Sequence, residues 1–189
     1  MGGRVILAAI LGGIALFVWG AVAHMFLPLG TMGQSPLPGG EAEITSALKT
    51  HVTQPGVYWI PGFDTDRMSD QAYQDELKAK VGAGPWAWMV VRPKEVPFGE
   101  PIQYVRELSV SIGLALIAAF LILVAGGLSA LWARILFCVL LAGFGLLQTD
   151  VRFWNWYQFP DAFTLAQAIS HLVGGALLGV VIHLVYRRG

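Results

Sequence analysis

Four apolar runs, each long enough to cross a lipid bilayer, constrain the fold of this chain more than any other feature. They cover residues 5–25, 108–127, 131–148 and 162–186. A membrane-spanning helix needs about 20 consecutive apolar residues. Only 13% of the 189 residues are charged, whereas about 25% is usual in a soluble domain. The sequence therefore predicts an all-α membrane protein with a four-helix transmembrane bundle.

The arginines predict how these helices are oriented. Arg4 precedes the first run, Arg134 follows the short connection between the second and third runs, and Arg187 and Arg188 end the chain. Because cytoplasmic segments carry an excess of basic residues, we expect both termini to be cytoplasmic, in the inner (plasma) membrane of a bacterium. Bulky residues follow the small ones at the end of the first run, which favours a retained helix over a cleaved signal peptide.

This orientation divides the chain into three parts. Residues 1–27 are predicted to form the first transmembrane helix, and residues 28–106 a small α+β extracytoplasmic segment. Residues 107–189 are predicted to form three further transmembrane helices, with an aromatic outer loop at 149–161.

Local patterns predict the elements of the extracytoplasmic segment. Apolar periodicity and capping residues indicate helices over 41–51 and 69–81, and β-branched and aromatic runs indicate strands over 57–60 and 86–91. The aspartate-rich stretch 64–70 lacks the glycine and the distal glutamate of a calcium loop. We interpret it as a polar turn that begins a helix, and we predict no metal site.

Small residues recur at every fourth position in the first and fourth runs. Such a stripe lets two membrane helices approach closely. We predict that these two helices pack on each other, with Gly12 level with Gly175 and Gly20 level with Gln167. The predicted packing glycines are Gly12, Gly20, Gly175 and Gly179.

Polar and aromatic residues near the outer boundary are the candidate ligand-binding residues. His171 lies inside the fourth run, where an ionisable side chain is a functional candidate by default; it either pairs with another polar group or ligates a haem or chlorin. The rings of 150–163 (DVRFWNWYQFPDAF) are typical of a membrane interface, whereas its polar residues either anchor the outer segment or hold a lipid or quinone head group. The candidate cofactor-binding residues are His171, Gln167, His24, Trp154, Trp156, Arg152 and Asn155.

Several function classes are disfavoured. The net charge is zero, so the chain has no polybasic signature of nucleic-acid binding. The single cysteine, Cys138, lies in an apolar run and cannot form an internal disulfide. No run contains an acid away from its ends, and intramembrane acids are the usual signature of coupled transport.

Four motifs resemble a family of uncharacterised bacterial inner-membrane proteins with an extracytoplasmic segment between spans one and two. They are WGAVAHMFLPLG (19–30), PGVYWIPGFD (55–64), AGPWAWMVVRP (83–93) and WNWYQFPDAFTL (154–165). The resemblance implies the same four-span architecture, and it implies no activity, cofactor or functional residue.

Three functions remain open on these grounds. The leading hypothesis is a non-catalytic accessory or scaffolding subunit of a larger respiratory or photosynthetic membrane complex, with membrane lipids and other membrane-protein subunits as partners. The first alternative is a binder of a lipophilic cofactor or lipid (quinone, haem or chlorin) near the outer leaflet, and the second is a small transporter. We predict no catalytic residue, and the identity of any cofactor stays open.

Overall fold

The computed structural model describes residues 2–95 and 98–187. It is mostly helical, at 71%. Its contacts divide the chain into two compact units: residues 36–97 form one unit, and residues 1–35 with 98–189 form the other. We call these the small unit and the helical unit.

The described residues form α-helices that are numbered here in chain order: α1 (Gly2–Met25), α2 (Glu41–His51), α3 (Gln71–Ala83), α4 (Pro101–Val124), α5 (Leu131–Gln148), α6 (Asp150–Tyr157) and α7 (Asp161–Arg187). Two strands, β1 (Gly56–Ile60) and β2 (Ala87–Val91), pair antiparallel. Four helical stretches are long and apolar enough to cross a membrane, namely α1, α4, α5 with α6, and α7. The prediction of four such helices is confirmed.

The small unit contains the predicted elements. Helix α2 has the predicted bounds, and α3 begins two residues later than predicted because Asp70 is its N-cap, accepting hydrogen bonds from the backbone N–H of Ala72 and Tyr73. Asp64 accepts a hydrogen bond from the Asp66 backbone N–H and caps a short 3-10 turn. The aspartate-rich stretch is therefore a polar turn that begins a helix, as the sequence indicates.

The four long helices of the helical unit are not packed evenly. Helix α1 contacts both α4 and α7, and α7 contacts both α1 and α5, whereas α4 and α5 barely touch. Small side chains let the backbones approach closely, and Ala8 of α1 and Ala115, Ala118 and Ala119 of α4 are fully buried. The order across the unit is α4, α1, α7, α5.

The two ends of the helical unit differ. We call the end with Arg4, Arg134 and Arg187 the arginine end, and the end with Trp154 and Trp156 the aromatic end. From the middle to the arginine end, all four long helices share one core: Val5, Ala8, Ala115, Ala118, Ala119, Ile122, Cys138, Leu178, Ile182 and Val185. At the aromatic end the buried cluster consists of Ala23, Leu29 and Ala166, packed by Trp19 and Met32. Neither α4 nor α5 contributes to this second cluster.

The glycine contacts correct the predicted pairing of α1 and α7. These helices do contact each other, but Gly175 and Gly179 face α5: a Cβ at Gly179 would lie 2.5 Å from the Cα of Ile135. Gly12 faces Leu178 of α7 and Ala115 of α4, and a Cβ at Gly20 would meet nothing within 4 Å. A glycine stripe marks a close approach without specifying the partner helix, and α7 has two neighbours.

Candidate functional site

Residues 149–161 are predicted as an outer loop, but Asp150–Tyr157 instead continue the third helical stretch as α6, so that only residues 158–160 connect it to α7. The backbone breaks at Thr149, where φ is −117° and ψ is −75°, and then resumes as α6. The Thr149 carbonyl still accepts a hydrogen bond from the Phe153 N–H at 2.9 Å. With a rise of about 1.5 Å per residue, Asp150 therefore lies about 10 Å inside the end of the stretch at Tyr157.

This extension places an acid inside the third stretch, where it meets His171 of α7. The Asp150 Oδ2 atom lies 3.4 Å from His171 Nε2, and the side chains are 15% and 46% exposed. The Thr149 hydroxyl lies 2.8 Å from the same carboxylate oxygen. His171 is about 15 Å from the start of α7 at Asp161, so the pair joins two helices well below their ends.

A polar stripe on α7 leads from the aromatic end to this pair. Thr164, Gln167 and His171 follow each other at three and four residues, which places them on one helix face. The Thr164 Oγ1 atom is buried without a hydrogen-bond partner among the described residues. Gln167 is half-buried. Buried polar atoms usually have a partner, so an orphaned one requires an explanation such as a bound group.

The aromatic residues of α6 pack on the start of α7. The Trp154 Nε1 donates a hydrogen bond to Asp161 Oδ1 at 2.6 Å, and the rings of Phe159 and Phe163 have their centroids 5.1 Å apart. Trp156 is 72% exposed. Exposed indole rings of this kind suit a membrane interface.

The structure does not assemble the other predicted polar residues into one cluster. Arg152 and Asn155 are exposed, while Asp150 turns to His171. The Nδ1 atom of His24 lies 2.9 Å from the carbonyl oxygen of Gly20 on its own helix.

A second site lies at the arginine end, where sequence analysis used Arg134 only as a marker of sidedness. Arg134 is 6% exposed. Its Nε and Nη2 donate to the Gly127 carbonyl oxygen at 3.1 and 2.8 Å. Its Nη1 lies 3.4 Å from both the carbonyl oxygen and the Nδ1 of His183. The guanidinium carbon lies 5.2 Å from the ring centroid of Tyr186, whose hydroxyl donates to the Ala119 carbonyl oxygen at 2.9 Å.

A cavity of about 190 Å³ opens beside this arginine. It is lined by Arg4 and Val5 of α1, Leu123 of α4, Arg134 of α5 and Tyr186 of α7. All four long helices therefore meet around a pocket that has two basic residues and an apolar wall.

A larger concavity of about 590 Å³ in the small unit has a simpler character. All six residues that line it, from Glu41 to Thr50, belong to α2. Nothing faces them from another element, so it is a helix surface and not a site.

Among residues 2–95 and 98–187, no three His, Cys, Asp or Glu side chains are grouped so that they could hold a metal ion. Cys138 is a buried free thiol within the shared core. Comparison of the chain with known protein families, with curated proteins and with solved structures found no match. The resemblance to four-span inner-membrane proteins therefore stays a prediction.

Proposed function

We propose that this protein is a non-catalytic membrane protein that serves as an accessory or scaffolding subunit of a larger membrane complex. The observation that carries the proposal is the uneven core. The four long helices share buried residues only from the middle to the arginine end, and α4 and α5 add none to the cluster at the aromatic end. A helix from another subunit could occupy the side that these two helices leave open.

The surfaces of α4 and α5 suit such a partner. A Cβ at Gly113 of α4 or at Gly145 of α5 would meet nothing within 4 Å. Association inside a bilayer depends on close packing, and small residues permit it. Large apolar side chains flank these glycines, with Leu114 54% exposed and Phe144 62% exposed. The combination offers a shallow notch between bulky neighbours.

The polar groups of the helical unit also fit a structural role. Trp19 Nε1 of α1 donates to the Ser170 carbonyl oxygen of α7 at 2.9 Å, and the Asp150–His171 pair joins α6 to α7. These contacts hold helices together. We further propose that the arginine end faces the cytoplasm of a bacterium, since basic residues favour that side of the inner membrane.

Native-gel electrophoresis after extraction in a mild detergent tests the proposal. We expect the protein to migrate in an assembly much larger than its 20.4 kDa. The variants Gly113→Leu and Gly145→Leu should shift it toward the monomer, because a bulky side chain blocks close approach. Phe144→Leu, an equally exposed neighbour that stays apolar and large, should leave the assembly intact. Migration of the unmodified protein as a monomer alone would contradict the proposal.

The polar stripe of α7 favours one alternative, a binder of a lipophilic cofactor or lipid near the outer leaflet. His171 is half-exposed, and its Nε2 faces the Asp150 carboxylate, so its Nδ1 can accept a hydrogen bond from a hydroxyl group such as that of a reduced quinone. The unpartnered Thr164 hydroxyl lies on the same face. Haem and chlorin would instead need a free His171 nitrogen as an axial ligand.

Binding of a short-chain quinone in its reduced, dihydroxy form, measured by quenching of tryptophan fluorescence, tests this alternative. We expect His171→Ala and Thr164→Val to weaken quenching, while His24→Ala, which removes a histidine bonded to its own helix, should not. An absorption spectrum of the purified protein reports haem or chlorin directly. A colourless protein whose quenching is unchanged by His171→Ala would exclude the alternative.

Asp150 also reopens a small-transporter role, because an acid within a helical stretch is a feature of coupled transport.

A further inference from the structure

Arg134 is a buried cation whose partners are all uncharged or weakly basic. Its hydrogen bonds go to the carbonyl oxygens of Gly127 and His183. Within residues 2–95 and 98–187, the ion pairs involve other residues, and none includes Arg134. Removing a charge from water is costly unless an opposite charge compensates it. The buried guanidinium therefore favours an anion beside it.

The cavity at the arginine end offers a place for that anion. It lies between Arg134 and a second arginine, Arg4, which also has no ion pair with a described residue. Two guanidinium groups around one cavity repel each other while it holds only water. An oxyanion between them would turn this repulsion into two attractive contacts.

The shape of guanidinium and the walls of the cavity indicate the class of anion. The planar guanidinium of Arg4, which is bonded to no described residue, presents paired N–H groups that match phosphate oxygens in a bidentate contact. Arg134 already donates from Nε, Nη1 and Nη2 to carbonyl oxygens, so it contributes mainly its charge. The Tyr186 ring lies 5.2 Å from the Arg134 guanidinium carbon, and its hydroxyl donates to the Ala119 carbonyl oxygen, so it orients the arginine and has no hydroxyl proton left for the anion. Val5 and Leu123 supply an apolar wall beside the two charges, which fits the glycerol and upper acyl chain of a phospholipid.

We propose that Arg4 and Arg134 bind a phosphate group in this cavity. The phosphate belongs either to an anionic phospholipid of the leaflet at the arginine end or to a free phosphate ion. The two sources share their contacts with the arginines and differ in their use of the apolar wall.

Lipid binding by the full-length detergent-solubilised protein, measured by native mass spectrometry, tests the proposal. The probes are phosphatidylglycerol, phosphatidylcholine and inorganic phosphate. Binding of inorganic phosphate is measured by the increase in melting temperature that it causes. We expect phosphatidylglycerol to bind more tightly than phosphatidylcholine. Arg4→Gln should weaken it about tenfold, the effect of losing one charge-assisted hydrogen bond.

Matched variants keep the result interpretable. Arg4 is exposed and bonded to no described residue, so Arg4→Gln should not lower the melting temperature of the lipid-free protein even if Arg134→Gln fails to fold. Arg187→Gln removes the same charge from the same end outside the cavity and should weaken phosphatidylglycerol far less. Stabilisation by inorganic phosphate with no preference for phosphatidylglycerol would assign the site to the free ion. The proposal would be overturned if both lipids were retained equally and phosphate did not stabilise the protein. It would also be overturned if Arg4→Gln and Arg187→Gln weakened phosphatidylglycerol binding equally.

Discussion

The arginine end and the aromatic end of the helical unit are built from the same long helices but by different means. At the arginine end, alanines and aliphatic side chains from α1, α4, α5 and α7 form a shared core around a buried arginine. At the aromatic end, ring stacking and single polar contacts connect α6, α7 and α1. Close packing of many small groups gives rigidity, whereas a few directional contacts leave surfaces open for partners. The first end is suited to stability and the second to association.

Gly179→Leu should have the largest effect, because it places a side chain where the backbones of α7 and α5 are in close contact. A Cβ there would lie 2.5 Å from the Ile135 Cα and 2.8 Å from the Arg134 carbonyl oxygen, and backbone atoms cannot move aside locally. We expect the free energy of unfolding to fall by about 3 kcal/mol, at the upper end for overpacking. Circular dichroism during titration with a denaturing detergent measures it. Gly20→Leu, at a position where a Cβ would meet nothing within 4 Å, should change it little; equal losses in both variants would contradict the contact between α5 and α7.

Removing one arginine from each end should sharpen the comparison. Arg134→Ala leaves the Gly127 and His183 carbonyl oxygens without these donors, and it should lower the free energy of unfolding by about 2 kcal/mol. Arg152→Ala removes an exposed side chain of α6 and should cost less than about 0.5 kcal/mol. The same titration compares the two variants. Similar losses would show that burial of Arg134 does not distinguish the ends.

The contrast between the ends also separates what the sequence predicts from what it does not. A continuous apolar run of about 20 residues has few structural outcomes, so α1, α4 and α7 follow from composition alone. The small unit is predictable because Asp70 and the β-branched strands act locally. The packing partners of Gly175 and Gly179 are not, since a helix face does not specify which neighbour it meets.

Two errors of sequence interpretation arose at the ends of the third stretch. The aromatic residues after Thr149 favoured an interfacial loop, yet neither glycine nor proline occurs between Gly145 and Pro160. The lack of a helix-breaking residue in this segment could have predicted α6. A helix there would also have placed Asp150 inside the third stretch and not at its end. The burial of Arg134 had no such signal, because it depends on carbonyl groups from a distant helix and a preceding turn.

Trp19→Phe tests whether single hydrogen bonds matter at the aromatic end. The variant keeps most of the ring but removes the donor to the Ser170 carbonyl oxygen. We expect a loss of about 1 kcal/mol in the free energy of unfolding, the usual value for one neutral hydrogen bond. Trp156→Phe, at a ring that is 72% exposed, is the matched control and should be neutral. A neutral Trp19→Phe would mean that Trp19 stabilises the contact of α1 with α7 by ring packing and not by its hydrogen bond.

Asp150→Asn should have the smallest effect on stability and yet tells most about the aromatic end. The carboxylate lies 3.4 Å from His171 Nε2, which is long for a charge-assisted hydrogen bond, and interhelical polar contacts within a membrane are weak on average, so the loss should be about 0.5 kcal/mol. The double variant Asp150→Asn, His171→Ala should then lose less than the sum of the single variants, because each single change already breaks the same contact. If the losses in free energy of unfolding of the two single variants add up to that of the double variant in the same detergent titration, Asp150 and His171 do not interact. A coupled pair with so small an effect on stability would favour the proposed binding alternative over a purely structural role, since an acid and a histidine within helical stretches are costly to keep.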